Sequence, residues 1–318
     1  MSIHLEDVNL SPENVSEALV SLEAVAARFY AIRDRRAVFP DVYGIITRNV
    51  KLAIQDRSSI LFLEPVWLSR MAGRFCEKYM RALLRTMEGA WVESSAWRYA
   101  FHYAQSGATL PVQDAILGIN AHINYDLAQG VCDNILSHGN GQDPRLLARY
   151  LHDHNAVNII LEESMPEICD VLIKRYRCYT TRWASSTRLC RACVTSSVMS
   201  VLRQWRTRVW GDAMALLNCQ EEETRRQVLG RMDRLSGRMA IVLCTGNVAY
   251  MASRPMVPPA VHHLFETFKH ERSSAGQMTA RVCAALCQAP HLIHLPHVPR
   301  GLLPGQAEGR PSGTLVAL

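Results

Sequence analysis

From Ser11 to Leu243 the apolar residues of this chain return every three or four positions, and no convincing stretch of them alternates. A period near 3.6 marks an amphipathic helix, and a period of two marks a strand. A chain that shows only the first pattern must bury its apolar faces helix against helix. The expected fold class is therefore all-α: a single helical bundle of about eight helices with a C-terminal extension. With 318 residues, 48% hydrophobic and 20% charged, the chain has material for such a core.

Capping residues divide the pattern. Ser11 and Pro12 read as N-cap and first turn of a helix running to about Arg33. A second helix follows Pro40 as DVYGIITRNVKLAI, a third is VWLSRMAGRFCEKYMRALLRTM, and a fourth is SSAWRYAFHYA. The fifth extends from Pro111 to Leu136. After SHGNGQDP, Asp143 caps a sixth, which Pro166 ends or kinks before the pattern resumes through ICDVLIKRYRCY. LCRACVTSSVMSVLRQWRTRVWGDAMALL is the seventh helix. EEETRRQVLGRMDRLSGRMAIVL is the eighth, with Thr245-Gly246 as its stop. Residues 1–246 thus read as the bundle, 247–298 as a short helical extension and 299–318 as a Pro- and Gly-rich disordered tail.

The N-terminal MSIHLEDVNLSPENVSEA has no basic region followed by an apolar one, and no segment reaches the roughly eighteen uncharged apolar residues of a membrane span. The expected location is the cytoplasm, with the ten cysteines as reduced thiols. A net charge of +6 without a recognised nucleic-acid module argues against a nucleic-acid partner.

ILGINAHINYDLAQ, residues 116–129, is the most informative stretch. At 100° per residue Val112, Ile116, Ile119, Ile123 and Leu127 form an apolar stripe. His122 and Asp126 flank one edge of it, and Asn120 and Asn124 flank the other. On the sixth helix Asp153 falls inside the apolar arc of Tyr150, Val157, Ile160 and Leu161, while His154, Asn158 and Glu162 step along its edge. If the two helices face each other, His122, Asp126 and Asp153, with Glu162, form a ligand set for zinc, iron or manganese. Without a metal, an Asp beside a His orients it as a general base. The competing reading is a hydrogen-bond network that only fixes helix packing.

LGINAHINYDL, with AWRYAF about twenty residues earlier, resembles a family of helical bacterial and fungal proteins of unknown function with an LGxNAHINxDL signature. FCEKYMRAL is similar to its F-x-x-x-Y-x-x-A-L helix, HDHNAVNIIL to its Asp-then-Ile-Asn segment, and RTRVWGDAMAL to its later Arg-to-Trp helix. The resemblance covers residues 40–220 and implies an all-helical fold without an established reaction. It places Asp153, Asn158, Arg206 and Trp210 on the family's positions. Ala72 stands where relatives carry an Asp. The Gly118, His122, Asp126 spacing is also similar to a helix of zinc-dependent phospholipase C, but that family's further ligands are missing here.

Residues 174–211 carry no acid and nine Lys or Arg residues interleaved with aromatics. Such a stretch can contact anionic lipid or an anionic small molecule, or its arginines can pair with carboxylates such as Glu162, Glu163, Glu167 and Asp170. Cys190 and Cys193 read as packing cysteines, and His291, His294 and His297 as tail residues without function. The leading expectation is an enzyme for a small-molecule or lipid-like, anionic or neutral substrate, with or without a metal, and the residues do not separate a hydrolase from an oxygenase. Its site lies between the fifth and sixth helices. His122, Asp126 and Asp153 carry the chemistry, and Asn120, Asn124, Asn158 and Arg206 bind substrate. The alternative is a non-catalytic binding or scaffold protein.

Overall fold

The computed structural model describes residues 5–56, 61–138, 143–184 and 187–252, apart from the side chains of 183–184, 188–190, 193 and 245–252. These residues form nine helices and no strand. They are α1 (Val15–Ala31), α2 (Val38–Gln55), α3 (Pro65–Met87), α4 (Ser95–Ser106), α5 (111–136), α6 (Pro144–Lys174), α7 (Tyr179–Ala184), α8 (Arg188–Leu217) and α9 (Glu222–Ala252). All fall in the first of two units, Met1–Ser273 and Ser274–Leu318. The tail histidines and nearly all of the expected extension lie outside the described residues, as do the side chains of Cys190 and Cys193.

Several boundaries differ from the sequence reading, each for a local reason. Asn14, not Ser11, caps α1, accepting from the amides of Ser16 and Glu17 at 3.0 and 3.1 Å. Ser11 instead donates its amide to Asn9 Oδ1 in a turn. A 3-10 turn, Arg35–Ala37, leads into α2, so Pro40 lies inside the first turn of that helix rather than before it. There its missing N–H has no intrahelical partner to lose. Pro166 does not end α6. The break comes instead at Arg175–Cys178, where Arg177 takes a positive φ of 52° before the short α7 begins. The last helix runs through Thr245-Gly246 to Ala252. Asp143 caps α6 as the pattern predicts, and Ser94, the first residue of the expected fourth helix, is the N-cap of α4.

α5 lies at the centre. It touches α2, α3, α4, α8 and α9 and contributes to each of the three apolar clusters. Leu117 and Ala121 join Phe29, Phe39, Tyr79 and Trp97. Leu127, Val131 and Ile135 join Trp67, Tyr150 and Met199, and Ala115 joins Val38 and Leu172. Each large side chain so buried contributes about 1.5–3 kcal/mol relative to exposure. A helix surrounded on all sides has no solvent face, so the polar residues of α5 must find partners inside the protein.

α5 is not uniform. Pro111–Ala121 and Ala128–Leu136 are α-helical, but His122–Leu127 is π-helical, with i→i+5 bonding. Just before this turn, Gly118 lies against the Phe39 side chain, and a Cβ there would sit only 2.3–2.8 Å from three of its carbons. Only glycine lets α2 approach α5 this closely.

Candidate functional site

The two polar edges of α5 have different fates. Asn120, with no exposed surface, donates Nδ2–H to the Ser236 carbonyl of α9 at 2.9 Å. Asn124 donates to Asn120 Oδ1 at 2.9 Å and accepts from Arg208 of α8 at 2.6 Å. This ladder ties α5 to α8 and α9.

His122 and Asp126 face the other way, toward α2, α3 and α4, and are 3% and 4% exposed. Asp126 Oδ2 lies 3.1 Å from His122 Nδ1 and accepts from the Trp97 indole N–H at 2.8 Å. A carboxylate only accepts, so Nδ1 carries the imidazole proton and Nε2 keeps its lone pair. The ring stacks on Phe75, with centroids 3.3 Å apart and planes 7° apart. Tyr43 stands edge-on at 4.5 Å, Phe39 at 5.6 Å and Tyr79 at 6.4 Å, and Trp97 closes the box at 6.0 Å.

Three polar atoms of this box are buried without a partner among the described residues: His122 Nε2, Tyr43 Oη and Tyr79 Oη. Such atoms are rare, because each forfeits its hydration. Burial is also the main cause of their shifted acidities. It holds the His122 pKa below 6.5, against the opposing bond from Asp126. It also pushes both tyrosines well above the ordinary phenol range, so both hydroxyls stay protonated. The box is therefore a neutral base beside two potential donors, walled by aromatic faces.

The other expected site residues lie elsewhere. Asp153 is fully buried on α6 and accepts from the amides of Leu63 and Glu64, both at 2.7 Å, where α3 begins. Glu64 sits eleven residues before Phe75, about 16 Å along the helix axis. The structure thus brings His122 and Asp126 together but leaves Asp153 at a helix start, and the dyad does not face α6. Glu162 pairs with Arg203 at the surface. The expected ligand set of His122, Asp126, Asp153 and Glu162 is not assembled, and among the described residues no three His, Cys, Asp or Glu side chains group closely enough to hold a metal ion. Arg206 and His154 exchange bonds with each other's main chain where α6 meets α8, and Asn158 stands one turn beyond His154 on α6.

Within the basic stretch, Lys174 pairs with Asp170, Arg175 with Asp41 and Arg203 with Glu162, while Trp205 is in the core. No helix of the described residues is long and apolar enough to cross a membrane.

Phe39 and Tyr43 were absent from the sequence reading of the site. A signal for them existed. Phe39/Tyr43, Phe75/Tyr79 and Trp97/Phe101 are aromatic pairs four apart on α2, α3 and α4, the same spacing as His122/Asp126.

The buried imidazoles make stability depend on pH. Burial holds both His122 and His154 below 6.5, with the Arg206 charge adding to the effect at His154. The unfolded chain takes up protons near the ordinary value of 6.5, where the folded chain does not. The contribution is therefore fully present above that value and is lost as pH falls below it. Denaturant midpoints should drop between about pH 7 and pH 5, with up to two protons taken up on unfolding. His122→Phe should remove one proton's share of that slope, and an unchanged slope would show that His122 is not held neutral.

Fold and site together define an all-α protein class: a helical bundle whose central helix carries a buried His–Asp dyad in an aromatic box. The chain belongs to the Family of unknown function (DUF5995), whose family model matches residues 15–246. None of the curated proteins and none of the solved structures matches it.

Proposed function

We propose that the protein is an enzyme acting on a small molecule, with the His122–Asp126 dyad as its acid–base group. The carrying observation is the unpartnered Nε2 of His122, inside the same aromatic box as two unpartnered tyrosine hydroxyls. Asp126 and Trp97 fix the tautomer, and burial keeps the ring neutral, so Nε2 is ready to take a proton from a hydroxyl or a water. Tyr43 and Tyr79 are then donors for the substrate's oxygen atoms. The aromatic walls suit an apolar or aromatic body, and the Asp126 charge favours a reacting end that is not anionic. This narrows the substrate class to compact neutral molecules bearing a hydroxyl, an ester or an amide.

The second reading is a scaffold in which buried polar groups only lock helix packing. It is favoured by the internal partners of Asn120, Asn124, Asp153 and His154. Ligand-observed NMR with a library of small alcohols, esters and amides separates the two. Wild type should bind members of the library, and His122→Phe, which fills the same space without Nε2, should lose them. A wild type that binds none, alongside a His122→Phe protein of equal or greater stability, would establish the scaffold.

A further inference from the structure

Arg206, on α8, is only 5% exposed. It donates from Nη2 to the His154 carbonyl of α6, and His154 Nε2 donates back to the Arg206 carbonyl at 3.0 Å. Neither acceptor carries a charge. The neighbouring carboxylates are engaged elsewhere: Glu162 with Arg203, and Asp212 with Arg231. His154 brings no compensating charge either, because burial, followed by the Arg206 charge itself, keeps it neutral. Arg206 remains a cation at neutral pH, with burial lowering its pKa only to about 10. A buried guanidinium without a counter-charge is costly, and protein interiors almost always pair one.

Asn158 lies on α6 midway between His154, which meets Arg206, and Glu162, which meets Arg203 of the same α8, and two buried atoms here have no partner among the described residues. Arg206 Nε has no acceptor, and Asn158 Oδ1 has no donor. In an α-helix the His154 carbonyl also receives the Asn158 amide, so the guanidinium and residue 158 meet at one carbonyl. One orphan atom requires an acceptor next to a positive charge, and the other requires a donor.

We propose that Arg206 and Asn158 form a binding site, between α6 and α8, for a small oxyanion that carries a hydroxyl beside its charge. A charged oxygen of the ligand accepts from Nε–H, and its hydroxyl donates to Asn158 Oδ1. Monohydrogen phosphate and a 2-hydroxycarboxylate share this chemistry. The site is separate from the dyad, which faces α2, α3 and α4, and stands whether or not the dyad is catalytic.

Thermal unfolding of the full chain tests it, in buffer at constant ionic strength, with low-millimolar inorganic phosphate or glycolate set against sulfate, acetate and chloride. The matching probe should raise the Tm by about 3 °C at ten times its Kd. Sulfate and acetate, which lack the hydroxyl at neutral pH, should act much more weakly. A response to phosphate alone assigns a phosphate ligand, and a response to glycolate alone assigns a hydroxy acid. Arg206→Met should abolish the response. Asn158→Asp should also abolish it, while raising the anion-free Tm by supplying an internal carboxylate, and this variant decides the matter if Arg206→Met does not fold. Equal shifts with every salt, or a full response in either folded variant, would overturn the proposal.

Discussion

Trp97→Ala is expected to lower the unfolding free energy by about 3–5 kcal/mol, the largest effect of any single substitution in the aromatic box. Trp97 is 1% exposed, stacks on Phe101 at 4.9 Å and meets the edge of Phe39 at 5.3 Å. Its removal opens a cavity among rings that α2, α3 and α4 all contribute, and it strips Asp126 of its indole donor. Trp97→Phe separates the two effects. It retains most of the ring packing but leaves the buried carboxylate with His122 alone at Oδ2, a loss of about 1–3 kcal/mol. Urea unfolding of both variants, with Asp126→Asn completing a double-mutant cycle, measures the coupling. A Trp97→Phe protein as stable as wild type, with no coupling to Asp126, would show that the indole does not support the carboxylate.

The second large effect is at Asp153. Asp153→Ala should cost about 2–4 kcal/mol, because two main-chain N–H groups at the start of α3 lose their acceptor at once. Nothing nearby replaces it. Glu64, at the N-cap, makes no capping bond with its own side chain, and its carboxylate is held by Arg149 at 2.5 Å. Asp153→Asn keeps one neutral acceptor and should fall between alanine and wild type. Hydrogen exchange should report faster exchange of the Leu63 and Glu64 amides in the alanine variant. An alanine variant that kept full stability but lost small-molecule binding would return Asp153 to the acid–base site.

The helix order was legible because periodicity and caps are local. Asp143 and Pro144 act as their neighbours in sequence dictate. The shift from Ser11 to Asn14 is equally local: both are good caps, and the Asn9 turn claims the earlier one. The facing of α5 was half legible. A helical wheel separates the His/Asp edge from the Asn edge, but it says nothing of which neighbour each edge meets. Asp153 shows the limit most clearly. Asp153 also lies 3.1 Å from His152 Nδ1, and a buried carboxylate on an apolar arc reads the same whether it faces His122 or the amides of another helix start. Phe39 and Tyr43 were hidden for the opposite reason, since an aromatic residue on a helix's inner face reads as ordinary core. Arg206 was legible as a residue of interest, but its lack of a charged partner exists only in three dimensions.

The π-helical turn sets the phase of α5. Each of its hydrogen-bonded rings encloses one more residue than an α-helical ring, so the helix after Leu127 is rotated relative to an uninterrupted α-helix. Val131 and Ile135 keep their places against Trp67 and Tyr150 because of that offset. Recasting residues 122–127 as plain α-helix, with none removed, would swing the second half of the helix by about 100° and carry its apolar face off the core. The segment bearing the dyad is thus also the gear that meshes both halves of the bundle, and its bonding pattern is as constrained as its chemistry.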